Sequence, residues 1–225
     1  MRSISIGTPI FALALAVGLS TAACKSEIDD KPAAKTEKAA PDKAEGDKAE
    51  GDKAEGDGAE EVKIPLAADK SKVGFIGAKK TADHKGSFGE ISGEATMAGT
   101  EVTGFWVSVK IASMTTDADG LTKHLMGADF FDAEQFPEAK FTALEITAKA
   151  GENGATHEIA GNLEMHGQTN KITFPATVEV GATGIVGKAD FKINRKDWGI
   201  VYAGMPDDLI KDDVALQLDL TFPRA

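Results

Sequence analysis

The sequence predicts an all-β fold: an extended, eight-stranded antiparallel β-barrel interrupted once by a short helical cap between its third and fourth strands. Three observations carry this. From Lys63 onward, apolar and polar residues alternate in about eight separate runs, the period of a strand with one covered face. Most of the segments between these runs are short and rich in Gly and Asn, and strands joined that tightly run antiparallel. The stretch Leu121 to Phe141 alone breaks the alternation, and it holds four of the chain's eleven phenylalanines within its last twelve residues.

Residues 1–23 precede any such pattern. Arg2 supplies a positive start, Ile10 to Leu19 is an apolar run too short to span a bilayer as a helix, and the small residues Ser20 to Ala23 lead to Cys24. This reads as an export signal peptide. Cys24 is the only cysteine, which excludes a disulfide within one chain and a cysteine-based zinc site. Its setting resembles a bacterial lipoprotein signal, although Thr21 stands where a leucine-like residue is usual. The resemblance implies acylation of Cys24, attachment to the membrane through it, and a place on the periplasmic face of the cell envelope. With Lys25 rather than an aspartate following, the outer membrane is favoured over the inner.

Residues 24–62 read as the acylated cysteine and a disordered tether. KAEGD occurs three times in succession at 43–47, 48–52 and 53–57, and Ile28 and Val62 are the only large aliphatic residues. Such a segment lacks the apolar surface to offset the entropy of ordering. As a flexible coil it spans about 35 Å. The remaining domain, 63–225, carries 17 basic against 23 acidic residues, a net charge of −6, and has no basic run, so nucleic acid is not an expected partner.

The first strands are Val73 to Ala78 and Phe88 to Met97, the second punctuated by Gly89, Gly93 and Gly99, where bends are expected. In Thr103 to Ala112, Phe105, Val107, Val109 and Ile111 share one face. The phenylalanine-rich segment follows as a short helix over about Gly120 to Met126, then an irregular turn closed by Pro137. Its rings Phe130 and Phe131 need cover from the strands, because each removes a large apolar area from water. Strands resume through Ile146, Leu163, Phe174 and Phe191, and the last alternates Val214, Leu216, Leu218, Leu220 and Phe222. Eight strands close a barrel whose interior is filled or holds one ligand; the alternative is a two-sheet sandwich.

In order along the chain stand His84-x-Gly86-x-Phe88, Asp129-Phe130-Phe131-Asp132, Phe136-Pro137, Gly161-x-Leu163 and Asn194-Arg195-x-Asp197-Trp198-Gly199-Ile200. This series resembles the YceI-like family over about 155 residues. The resemblance implies a lipocalin-like barrel whose interior holds a long-chain isoprenoid lipid or a quinone-like amphiphile. One departure is Lys70-Ser71, where the family often places a histidine before the serine.

The expected cavity wall comprises Phe75, Phe105, Val107, Val109, Phe130 and Phe131, together with Ile146, Leu163, Phe174, Phe191, Trp198, Leu216 and Leu218. Gly161 and Gly187 on the same faces hint at unfilled volume. Lys123, His124 and Arg195 are candidates to meet a polar head group at the barrel mouth. Arg195 also suits a carboxylate clamp that pins its loop. No histidine pair has metal-ligand spacing, no serine sits in a nucleophile elbow, and no cofactor is expected. His84 and His166 are read as turn residues. Asp119, His124 and Glu134 are able to meet at the cap for acid–base work, though Asp119 reads more readily as a helix cap. Three classes of function therefore stand: a non-enzymatic lipid binder, an envelope interaction or stress-response module with a filled barrel, and an enzyme on a lipid.

Overall fold

Alternating runs of this kind pair edge to edge, and the computed structural model, which describes residues 26–39, 60–206 and 208–224, shows how. The leader, Cys24 and the KAEGD repeats lie outside the described residues. The strands are β1 (Lys35–Lys38), β2 (Glu61–Pro65), β3 (Lys72–Lys79), β4 (Asp83–Phe88), β5 (Ile91–Ala98), β6 (Glu101–Lys110) and β7 (Met114–Thr116). After the helix α1 (Asp119–Met126) come β8 (Glu138–Ala148), β9 (His157–Met165), β10 (Gln168–Gly181), β11 (Gly184–Asn194), β12 (Gly204–Met205) and β13 (Asp208–Pro223).

Eleven of the thirteen strands make up eight ribbons, with β1 added beside β10 and β12 beside β13. β2 with β3, β4 with β5, and β6 with β7 are each one bent ribbon: β3 pairs β4 while β2 pairs β5, and β5 pairs β6 while β4 pairs β7. β6 then pairs β8, followed by β9, β10, β11 and β13, and β13 returns to β3. Every pairing among these ribbons is antiparallel and the pairings run full circle, so the arrangement is the barrel and not the sandwich. The expected helix forms between the third ribbon and the fourth. Gly89 lies in the bend between β4 and β5. Gly93 marks no bend; a Cβ there would come within 2.6 Å of the Trp106 carbonyl, so the strands approach too closely for a side chain.

The largest departure concerns residues read as tether. Residues 26–39 are docked on the barrel. Ile28 is fully buried against Ile76, Ala78 and Ala215 on the outside of β3 and β13. Pro32 and Ala34 exchange backbone hydrogen bonds with Lys192 of β11, at 2.9 and 2.8 Å. Directly after Ala34, β1 pairs with Asn170–Thr173 of β10. β10 and β11 themselves pair only over Thr177–Gly181, so the segment sits in the gap where these two strands diverge. It supplies partners to backbone groups that the split would leave unpaired. Composition concealed this, because a segment that completes a sheet through its backbone needs few apolar side chains.

Smaller corrections follow from hydrogen bonding. α1 starts one residue before the expected Gly120, with Ala118 rather than Asp119 at the capping position. The hydroxyl of Thr122, one turn on, accepts from the Thr116 N–H at 3.0 Å and bonds the Thr116 hydroxyl at 2.8 Å. His84 lies in β4, not in a turn, whereas His166 occupies the β9–β10 turn at φ 51°.

Candidate functional site

Residues 75, 77 and 79 of β3 share the inward face, as do their counterparts on the other strands, and these rows do not fill the space between them. The barrel encloses a cavity of about 270 Å³. Its wall takes Phe75, Phe105, Val107, Val109, Phe130 and Phe131, and also Leu163, Phe174, Phe191, Leu216 and Leu218. A second void of about 40 Å³ continues beyond Phe105, Phe174 and Leu218, and there Ile146 lies on the wall. A Cβ built on Gly77 or Gly187 meets nothing within 4 Å. Gly161 differs from the expectation: the Phe141 ring already covers it, 2.5 Å from where a Cβ would stand.

Trp198 is not on the wall. It is fully buried, and its indole N–H donates to the Leu163 carbonyl at 2.9 Å, which makes it a pin for the end of β9. The turn that positions it, Arg195–Trp198, begins with the Asn194 carboxamide oxygen accepting from Lys196 N–H at 3.0 Å and ends on Gly199 at φ 77°.

Arg195 does reach the cavity. Its side chain is 4% exposed. Nη1 donates to the Ile200 carbonyl at 2.6 Å and Nε to the Lys211 carbonyl at 3.1 Å. Nη2 has no hydrogen-bond partner and lies 3.5 Å from an Asp212 carboxylate oxygen. Burial pulls the guanidinium pKa below its ordinary value, with Asp212 opposing; the group stays charged at neutral pH. Arg195 therefore clamps its loop chiefly through carbonyls, and its Nη2 is left with only the 3.5 Å ion-pair contact to Asp212. Lys123 and His124 are not on the wall. The His124 ring packs edge-on against Phe130 and Tyr202, 5.0 and 5.1 Å between centroids, and the carboxylate at its Nε2 is that of Asp129, 3.5 Å away, in place of the expected Asp119 or Glu134.

The cavity reaches the surface between the β3–β4 hairpin and α1, where Lys79 and His84 line it with about a third of each side chain exposed. Lys79 pairs with Asp208 at 2.7 Å, and His84 with Asp117 at 3.0 Å. Burial raises the Asp117 pKa, but hydrogen bonds from His84 and the Lys85 N–H outweigh it and hold the carboxyl below its ordinary value. Sequence reading missed these rim residues and also Leu121, Leu125, Ile200 and Ile210. The i, i+4 pair Leu121 and Leu125 was a usable signal; Ile200 ends the Asn194–Ile200 motif, but neither its place there nor the position of Ile210 told that they face the cavity. Among the described residues, no group of three or more His, Cys, Asp or Glu has the arrangement of a metal site.

Relatives share this frame. A UPF0312 protein of Pseudomonas putida (strain GB-1) is 31% identical over 140 residues, which cover 59% of this chain and 71% of that one. The crystal structure of Burkholderia cenocepacia BcnA superposes with a TM-score of 0.60 at 20% identity, over 69% of this chain and 98% of that one. A structure described as a polyisoprenoid binding domain from Saccharophagus degradans, implicated in plant cell wall breakdown, superposes with a TM-score of 0.57 at 16% identity, over 72% and 98%. The profile of the YceI-like domain matches residues 65–222, from the end of β2 to the end of β13, and the chain belongs to that family.

Proposed function

We propose that the protein is a non-enzymatic binder of one long-chain isoprenoid or similar amphiphilic lipid, which it sequesters or carries in the barrel cavity. The observation that carries this is the void itself. At about 24 cal/mol per Å³, an apolar space of 270 Å³ that the side chains do not fill forgoes on the order of 6 kcal/mol of packing within the protein. A filled barrel serving only as a docking module would have closed it with larger side chains at positions such as Gly77. An apolar chain recovers that packing together with about 25 cal/mol per Å² of its own buried surface, less ordering costs. The polyisoprenoid binding domain among the structural relatives supports the same ligand class. Nη2 of Arg195, which makes no hydrogen bond and has only the 3.5 Å contact with Asp212, suits a head group with an acceptor oxygen, such as a quinone carbonyl or a phosphate. Acylation at Cys24 would place this activity on the periplasmic face of the envelope, at the outer membrane.

The test is thermal unfolding of the mature chain titrated with isoprenoid alcohols and quinones of increasing chain length. A ligand held by the folded state alone adds about 2.7 kcal/mol of stability at a hundred times its Kd, so the melting temperature should climb with concentration and with chain length. Failure of every prenyl chain to move it would contradict the proposal.

A further inference from the structure

We infer that the cavity end of the barrel is a membrane-docking face, set against the bilayer by the docked residues 26–39 and by an exposed apolar lip at Val201, Met205 and Leu209. The inference rests on the reading of Cys24 as acylated and extends the lipid-binding proposal to the route by which ligand arrives.

The anchor begins at the rim. The Ser26 hydroxyl donates to Asp83 at 2.8 Å, Glu27 N–H donates to the same carboxylate at 2.7 Å, and the Glu27 carboxylate pairs with Lys85 at 2.7 Å. Asp83 and Lys85 flank His84, which lines the cavity. Cys24 is two positions before Ser26 in the sequence, and two residues span at most about 7 Å. The KAEGD repeats come after this docked segment, between β1 and β2, so they put no distance between the cysteine and the barrel.

The lip flanks the same hairpin. Val201, Met205 and Leu209 are 64%, 63% and 47% exposed, and they are three of the six large apolar residues left exposed among those described. They share one short stretch in which Gly204 and Met205 pair with Leu209 and Asp208. Lys80 N–H donates to the Leu209 carbonyl at 3.2 Å, and both the N–H and the hydroxyl of Thr81 reach Asp208. Ile200 and Ile210, at either side of the lip, line the cavity. Single exposed apolar residues need no explanation, whereas a group of them beside a lipid attachment point matches a bilayer surface. With a net charge of −6 the domain gains little from anionic lipid. Acyl chains therefore supply the attachment, and the short link from Cys24 to the docked segment holds the lip against the bilayer and so fixes the orientation. The mouth then faces the membrane, and a prenyl chain passes between bilayer and cavity without crossing water.

The test uses the full acylated chain in vesicles of phosphatidylethanolamine and phosphatidylglycerol. Leu209→Cys carries an environment-sensitive fluorophore, and Val180→Cys, beside the β10–β11 turn, serves as the reference. The label at 209 should shift to the blue and be quenched by doxyl lipids at least about twofold more strongly than the label at 180. A Gly/Ser spacer of about ten residues between Lys25 and Ser26 leaves the docked segment intact and should erase the difference. Equal quenching at both positions, or none at either, overturns the inference, as does a difference that survives the spacer. Loss of orientation alongside a normal melting shift with prenyl ligands condemns only this inference; orientation without any melting shift condemns only the cavity proposal.

Discussion

Ile28 is wholly excluded from solvent against Ile76 of β3, on the outer wall of the barrel. A residue from the supposed tether thus sits in a side-chain cluster of the folded domain. Ile28→Ala should cost about 2–5 kcal/mol, the range for truncating a buried isoleucine. Chemical denaturation of the mature chain measures it. No change in the transition midpoint would return residues 26–39 to the status of a linker.

The docked segment and the lip are both held by carboxylates whose pKa is lowered. A hydrogen bond from Lys211 lowers that of Asp29, and one from Lys79 lowers that of Asp208. A folded-state pKa below the unfolded value means that the contribution is complete above the ordinary carboxylate range of about 4. It disappears as the pH falls through the depressed folded value. The melting temperature should therefore decline below about pH 4, and Asp29→Asn combined with Asp208→Asn should flatten that decline. An unchanged slope in the double variant would contradict the assignment.

Trp198 serves the wall from behind. Trp198→Phe leaves the Leu163 carbonyl without its donor and should cost about 1–3 kcal/mol. Ligand uptake per folded molecule should stay the same, because the indole does not touch the cavity. Weaker binding at full folding would restore Trp198 to the lining set.

A Cβ on Gly77 meets nothing within 4 Å, so Gly77→Val should fill part of the cavity. Replacing a strand glycine also removes an entropic cost of about 0.5–1 kcal/mol. The variant should melt at or above the wild-type temperature while its affinity for prenyl chains falls. If stability drops by the 1–3 kcal/mol typical of overpacking, the core is filled at that point.

The barrel was legible because alternation reports a covered face directly, and long alternating runs such as Val214 to Phe222 leave little choice of structure. The phenylalanine-rich cap was equally plain, and the inward rows at Phe105, Phe174 and Leu216 lie where alternation places them. Other features depend on relations between distant residues. The bends that divide three ribbons into six strands leave only faint marks in sequence. Trp198 belongs to an apolar cluster without touching the void, a distinction that direction decides and hydropathy does not. Lys79 and His84 reach the rim through the β3–β4 pairing. Residues 26–39 dock chiefly through backbone bonds and ion pairs such as Asp29 with Lys211, which composition does not encode.

The central claim is that the cavity holds a prenyl chain. Native mass spectrometry of the mature chain, residues 26–39 included, purified from its own host without added lipid and followed by organic extraction, tests it most directly. The account predicts one prenyl lipid per barrel, released on unfolding and depleted in Gly77→Val. A barrel that emerges empty, and stays empty when isoprenoid alcohols and quinones are supplied, would contradict it.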